Sequence, residues 1–326
     1  MLRAKIVSTG SYAPDKVLTN DDIEKMVDTS DEWITERTGI KQRRIATPKQ
    51  ACSDLAYEAG KTALKRAGVK AKELDLIVVA TVTPDTQLPS AACVLQDMLG
   101  AKNAAAFDVN AACSGFVYAL SVAEAFIKSG KCGKVLVIGS EVLSKLTDWE
   151  DRSTCVLFGD GAGAVLVEPS EDDSGIVSVR TYADGSMGDL LMVPAGGSRM
   201  PASADTVKKR LHTIKMKGNE TFRVAVKTLE KLVVDTLEEN GLKPSDLSLL
   251  IPHQANLRII KATAERLNIP MDKVLVNIDR YGNTSAASVP IALDEAVTTG
   301  RVQRGDYVLL EAFGGGLTWA SALLRW

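Results

Sequence analysis

Histidine is scarce: the 326-residue sequence holds only His212 and His253, so a metal centre built on imidazole ligands is not expected. Cysteine offers no framework either. Cys52, Cys93, Cys113, Cys132 and Cys155 are odd in number and show no C-x-x-C spacing, which argues against a disulfide set and a zinc site and leaves reduced thiols. Charge of one sign is also lacking. With 39 basic and 41 acidic residues the net charge is −2, which gives no global field for nucleic acid or an anionic membrane. No uncharged apolar run reaches the ~18 residues of a membrane span. The N-terminal MLRAKIVSTGSYAP has no apolar core of signal-peptide length, so a cytoplasmic location is expected.

What is present is a chain that is 45% hydrophobic and long enough for one large domain or two of ordinary size. It is organised around residues 104–130, AAAFDVNAACSGFVYALSVAEAFIKSG. An apolar run suited to a buried strand passes through Asn110, Ala111 and Ala112 into a helix. The apolar residues of that helix, Phe116, Ala119, Leu120, Ala123, Phe126 and Ile127, recur at helical spacing until Gly130 ends it. Cys113 sits at the junction, where free N–H groups and the positive end of the helix dipole favour an anion and so predict a lowered thiol pKa.

Taken in order, a first strand spans Lys5 to Thr9, and a helical stretch from Asn20 or Asp21 carries DTSDEWITERTGIKQRR, with Trp33 and Arg37 on one face. Ser53 is placed to cap a helix that stops at Gly68. FGDGAGAVLVEP has nucleotide-loop glycines but no G-x-G-x-x-G match and no helix after it, so a Gly-rich strand or hairpin is expected. From Tyr182 to Lys217 the chain reads as irregular, and the span Arg199 to Arg223 carries seven Lys or Arg against two acids, a local balance of +5. The length of the irregular segment suggests a lid.

The second half repeats the first. ELDLIVVATVTP is echoed by DLSLLIPHQAN and KVLVIGSE by DYVLLEAFGGG, both about 172 residues downstream, and the same offset carries Cys113 onto Ser285. Two copies of one unit, 1–172 and 173–326, are expected, each with strands alternating with helices and a largely parallel sheet.

In such sheets ligands bind beyond the carboxyl ends of strands. Cys113, His253, Asn283 and Gly314-Gly315-Gly316 all fall there, and a pseudo-twofold packing of the halves would bring them together. A cysteine at a helix start can take an acyl group as a thioester, and a Gly-rich turn can present N–H groups to the tetrahedral oxyanion. His253 and Asn283 can both donate to one carbonyl oxygen, as stabilising the enolate from a malonyl thioester requires. Loss of CO2 makes that carbanion without a base.

NAACSGF around Cys113, PHQANLRI around His253, YGNTSAAS around Asn283 and FGGGLTW near the C-terminus resemble the β-ketoacyl-acyl carrier protein synthase III family of the thiolase superfamily, over essentially the whole chain. The resemblance implies an α/β protein with a five-layered α/β/α/β/α thiolase-like fold. It implies an acyltransferase that condenses an acyl-CoA starter with malonyl-acyl carrier protein and so initiates type II fatty-acid synthesis. Cys113 would be the acylated nucleophile, His253 and Asn283 the enolate donors, and the N–H groups of Cys113 and Gly315 the oxyanion hole.

Thr29, Trp33, Arg37 and Arg152 match the family's CoA positions, with Trp33 and Arg152 on either side of the adenine, and Gly218, Phe222 and Asn256 match its pantetheine tunnel. Arg223, Arg258 and Arg266 match the basic patch for the acidic carrier protein, and Leu88 stands where the family closes the acyl pocket across a homodimer interface. No metal or redox cofactor is implied. Two other readings stay open: a related CoA-dependent enzyme using another acceptor, and a silent carrier-binding subunit, although the latter would be expected to lack one of Cys113, His253 or Asn283.

Overall fold

The computed structural model describes residues 2–326. Strands alternate with helices as the sequence pattern requires, and they collect into two main sheets. The first runs Arg3–Tyr12, Asp160–Ser170, Val135–Val142, Leu76–Ala80, Ala105–Val109. The second runs Gly175–Ala183, Thr318–Arg325, Tyr307–Gly314, Leu249–Pro252. The two orders correspond strand for strand. The place held by Ala105–Val109 at the edge of the first sheet is marked in the second only by a parallel bridge from Leu250 to Val274.

The sheets are mixed instead of largely parallel. Leu76–Ala80 pairs parallel with both Ala105–Val109 and Val135–Val142, whereas Asp160–Ser170 runs antiparallel to its neighbours. In the second sheet Tyr307–Gly314 turns back through the glycines into antiparallel Thr318–Arg325. Parallel pairing needs a crossover helix, and the short connection here leaves no room for one.

Five layers result. Along Leu76–Ala80 the residues Ile77 and Val79 face the outer helices Cys52–Ala67 and Ala91–Leu99, while Leu76, Val78 and Ala80 face inward, as period-two alternation dictates. The inward faces of both sheets close on the central helices Gly115–Lys128 and Ser288–Thr298. Helices Gly218–Glu239 and Leu257–Arg266 cover the outer face of the second sheet. The Gly-rich FGDGAGAVLVEP becomes the buried strand Asp160–Ser170, as expected.

Several local expectations change. The stretch from Asn20 is two helices, Asn20–Glu24 and Asp31–Thr38, because Ser30 caps the second through Trp33 N–H and Thr29 falls in the loop between. Ser53 does not cap its helix: the N-cap is Ala51, whose N–H donates to Asp54, and the Ser53 hydroxyl donates to Asp85 instead. The segment from Tyr182 to Lys217 contains short strands at Leu191–Met192 and Lys215–Met216 and a helix at Ala204–Lys208. Its backbone is tied down by Ile214 N–H to Leu146 O and Lys217 N–H to Leu190 O, so a free lid is not what the fold presents.

The offset between the halves also needs adjustment by one residue. Ala112 and Ser285 carry matching positive φ values of 46° and 47° at the start of the turns Ala112–Ser114 and Ser285–Ala287. Backbone conformation therefore pairs Cys113 with Ala286, not with Ser285.

Candidate active site

Cys113 stands in the turn that joins strand Ala105–Val109 to helix Gly115–Lys128. The second half braces this turn: Thr318 donates its hydroxyl to Ala111 O at 2.7 Å, and Ser114 donates to Thr318 O at 3.1 Å. Gly314 lies so close that a Cβ there would stand 2.6 Å from Cys113 N, which makes glycine a steric requirement. Cys113 and Gly315 line the same cavity.

The lowered thiol pKa expected at the helix start is not what the site produces. Cys113 is only 6% exposed, and burial pushes its thiol up to about 11 against the pull of the Ser285 hydroxyl and the N–H groups of Cys113 and Gly315. Magnitude decides this. A helix terminus supplies about 0.3–1 kcal/mol, under about one pKa unit, whereas full burial of an ionising group shifts it by up to about 3–5 units.

His253 follows strand Leu249–Pro252, and its N–H donates to Glu311 O at 2.8 Å. Its Nδ1 is 2.6 Å from Ser288 Oγ, and the Gln254 N–H donates to the same oxygen at 3.4 Å. With the Ser288 hydroxyl donating to Nδ1, the ring proton sits on Nε2, the tautomer that can donate into the cleft. Burial holds His253 down at about 3, so the ring is neutral at ordinary pH. Asn283 follows Gly282; its Oδ1 accepts the Ser285 N–H at 2.9 Å, which fixes the amide and leaves Nδ2 to donate.

Cys113, His253 and Asn283 line one cleft of about 350 Å³, together with Trp33, Arg37, Gly218, Phe222, Asn256, Arg258 and Phe313. A second cavity of similar volume opens on the other side of Cys113, between Val82, Leu143, Leu146, Leu191, Ile214 and Ser285.

At the outer end of the cleft the Arg152 guanidinium sits 4.8 Å and that of Arg37 5.8 Å from the Trp33 ring centre. Arg152 also donates to Asp28 O at 2.9 Å, and beside it the Thr29 hydroxyl is buried without a partner. Asn256 caps helix Leu257–Arg266, accepting from Arg258 N–H and donating to Arg37 O at 3.0 Å, so its amide is occupied within the fold. Arg258 covers the Phe222 ring at 5.4 Å.

Arg223 and Arg266 border a shallow groove with Val226 and Ala262, where Arg266 is paired with Glu230 at 2.6 Å. The +5 segment is less free than its sequence suggests, because Lys209, Arg210, Lys215 and Lys217 pair with Asp205, Asp148, Glu150 and Asp189. Leu88 is 88% exposed and borders neither cavity of its own chain.

Sequence reasoning passed over Ser285 and Ser288 as parts of the site. The available signal was the presence of two serines, Ser285 and Ser288, in the otherwise largely apolar run TSAASVPIAL at the start of a buried helix.

Comparison with known proteins agrees with this architecture. The profile of 3-oxoacyl-[acyl-carrier-protein (ACP)] synthase III matches residues 107–185, and that of its C-terminal part matches residues 237–326. A β-ketoacyl-[acyl-carrier-protein] synthase III of Caldanaerobacter subterraneus subsp. tengcongensis is 58% identical over 325 residues, covering 100% of this chain and 98% of the relative. One from Xanthomonas campestris pv. campestris is 58% identical over 323 residues, 99% of this chain and 98% of its own. The crystal structure of 3-oxoacyl-[acyl-carrier-protein] synthase III from Aquifex aeolicus VF5 superposes with a TM-score of 0.92 at 56% identity, covering 99% of this chain and 100% of that one. With the thiolase-like architecture and full-length identity together, the chain belongs to the 3-oxoacyl-[acyl-carrier-protein] synthase III family.

Proposed function

We propose that this protein is a condensing acyltransferase that joins an acyl-CoA starter to malonyl-acyl carrier protein, releasing CO2 and CoA and giving 3-oxoacyl-acyl carrier protein. The observation that carries the reading is the convergence of Cys113, His253 and Asn283 on one cleft, with Gly315 lining the cavity on the other side of Cys113.

The first half-reaction uses the buried thiol. Cys113 attacks the thioester carbonyl, the N–H groups of Cys113 and Gly315 hold the oxyanion, and CoA leaves. The second cavity beside Cys113 has the apolar lining an acyl chain needs. Leu88, being exposed, is available to close that cavity from a partner subunit, which makes a homodimer the expected assembly.

In the second half-reaction the malonyl thioester oxygen lies against His253 Nε2–H and Asn283 Nδ2–H. A neutral histidine suits this role, since it donates a hydrogen bond without giving up its proton. Charge that develops on the oxygen as CO2 departs is met by two donors already held in place, so little reorganisation is required. The carbanion attacks the acyl-cysteine, and Cys113 leaves as thiolate. No cofactor is called for, because decarboxylation itself supplies the electron pair.

Trp33 and Arg152 supply two faces for the adenine of CoA. A stacked base needs about 7 Å between them, two van der Waals contacts of about 3.5 Å each. Arg152 therefore has to move outward from its 4.8 Å position when CoA binds. Thr29, with its unpartnered hydroxyl, and Arg37 complete that end, and Gly218, Phe222 and Asn256 line the pantetheine path. Arg223, Arg258 and Arg266 form the docking patch for the acidic carrier protein. The boundary between duplicated halves is placed at 172/173, just before strand Gly175–Ala183, and the protein is assigned to the cytoplasm; among the described residues no helix is long and apolar enough to cross a membrane.

The test is the intact mass of the protein after incubation with acyl-CoAs of increasing length. A thioester increment that vanishes in Cys113→Ala and is discharged by malonyl-acyl carrier protein is expected. An increment that persists in Cys113→Ala would refute the assignment of the nucleophile.

A further inference from the structure

One buried side chain beside the site has no part in the mechanism above. Gln254, the residue after His253 in the run PHQAN, is 1% exposed, and its amide uses every hydrogen bond it can make. Nε2 donates to Pro252 O at 2.8 Å and to Leu275 O at 3.1 Å. Oε1 accepts the N–H groups of Asn277 at 3.0 Å and Ile278 at 3.2 Å. Two carbonyls on one side and two N–H groups on the other fix which way the amide faces.

These bonds join the two chain segments that lead to the decarboxylation donors. Strand Leu249–Pro252 meets the second segment through the bridge from Leu250 to Val274 and the Leu275 N–H to Leu250 O at 2.9 Å. Beyond Leu275 no backbone bond among the described residues continues that pairing, and the Gln254 side chain takes its place. The second segment then enters helix Ile278–Tyr281, which Asn277 does not cap with its own side chain; Gln254 Oε1 meets its leading N–H groups instead. Pro252 directly precedes His253, and Asn283 follows two residues after Tyr281.

The two donors are otherwise anchored to different parts of the molecule. The Asn283 N–H donates to Leu157 O at 2.9 Å and its carbonyl accepts the Gly159 N–H at 3.0 Å, both in the first half. The His253 N–H is held by Glu311 O in the second sheet. Ser288 ties the His253 ring, and Gln254 ties the backbone around it. Two donors aimed at one developing oxyanion must keep their geometry to within about 0.5 Å, and a misplacement of about 1 Å costs about 100-fold.

We infer that Gln254 is a positioning residue for malonyl decarboxylation, its amide fixing His253 and Asn283 relative to each other. It has no share in acylation, because the turn that carries Cys113 is braced by Thr318, with which Gln254 makes no bond. The inference rests on the roles proposed above for His253 and Asn283, and the experiment keeps the two apart.

The half-reactions are measured separately in the wild type, Gln254→Met and Gln254→Glu. Quenched intact mass with acetyl-CoA gives the acylation rate and counts the folded enzyme. Release of CO2 from malonyl-acyl carrier protein by preformed acyl-enzyme gives kcat and KM for the second step. Methionine matches the length of glutamine and removes all four bonds. Burial favours a neutral carboxyl in Gln254→Glu, which keeps an accepting oxygen and one donor.

Gln254→Met is expected to lower kcat for CO2 release about 100-fold, with KM and the acylation rate within about threefold of wild type. Gln254→Glu should recover part of the loss, to about 10-fold below wild type. A kcat for CO2 release within about threefold of wild type in Gln254→Met, or acylation and CO2 release falling together, overturns the inference. Should Gln254→Met fail to fold, the same split between the half-reactions in Gln254→Glu decides. A wild type that acylates at Cys113 but releases no CO2 overturns the functional reading itself.

Discussion

The turns Ala112–Ser114 and Ser285–Ala287 are the same piece of backbone used twice. Each begins on a residue at φ near +46° or +47° and feeds a central helix, although the first follows strand Ala105–Val109 and the second the short helix Ile278–Tyr281. The first puts Cys113 at its second position, and the second puts Ala286 there. The difference teaches how a duplicated scaffold divides labour. In the proposed reading one copy carries the nucleophile. The other keeps the geometry but places polar groups around its turn: Asn283 before it, Ser285 at its start and Ser288 after it, where the Ser285 N–H holds the Asn283 amide and Ser288 holds His253.

If that division is right, the two halves fail differently. His253→Ala and Asn283→Ala should still take up an acyl group yet lose malonyl decarboxylation by about 100-fold or more, the scale of a lost oxyanion donor. Release of CO2 from malonyl-acyl carrier protein, measured beside the intact mass, checks this. Equal loss of acylation in these variants and in Cys113→Ala would erase the distinction between the turns.

The contact between the halves gives the next largest effect. Gly139→Ala drives a methyl onto Ala286 O and should cost about 3 kcal/mol of stability, read from urea unfolding. An unchanged midpoint would mean that the second turn does not rest on the first sheet.

Smaller effects sharpen the ends of the cleft. Arg152→Ala should weaken CoA binding by about fivefold, near 1 kcal/mol for an exposed cation over an aromatic face, with the condensation rate from acyl-enzyme unaffected. Titration calorimetry distinguishes this from no change.

The smallest is a pH effect on stability. Burial holds Glu311 at about 8 against an ordinary 4.5, and its Oε2 has no partner among the described residues. Between those values the folded state keeps a proton that the unfolded chain releases, so stability falls as pH rises through that window and the loss is complete above about 8. Glu311→Gln should therefore gain a few degrees of Tm relative to wild type at about pH 9 and little at about pH 5. His253, held at about 3 against 6.5, works in the opposite sense, its contribution falling as pH drops from 6.5 toward 3. A gain for Glu311→Gln that is equal at both pH values would place its origin in packing instead.

Much of the molecule is determined by local pattern. Period-two alternation and short apolar runs gave the strands; apolar spacing and Gly130 gave the central helix; and the repeat placed Cys113 and His253 at strand ends, whereas Asn283, expected at a third, follows the short helix Ile278–Tyr281. These are readable because hydrophobic periodicity and turn chemistry act over a few residues. Tertiary structure alone decided what depends on burial and on atoms far apart in sequence. The Cys113 thiol is raised because desolvation outweighs a helix dipole, and the basic run is partly neutralised because Asp148 folds against Arg210 and Lys215. The turn Ser285–Ala287 rests on strand Val135–Val142 and shares a cavity wall with Cys113 because three stretches well separated along the chain meet in the protein interior. Charge and proton affinity follow from that proximity and from exclusion of water, and neither quantity is written in any local stretch of the chain.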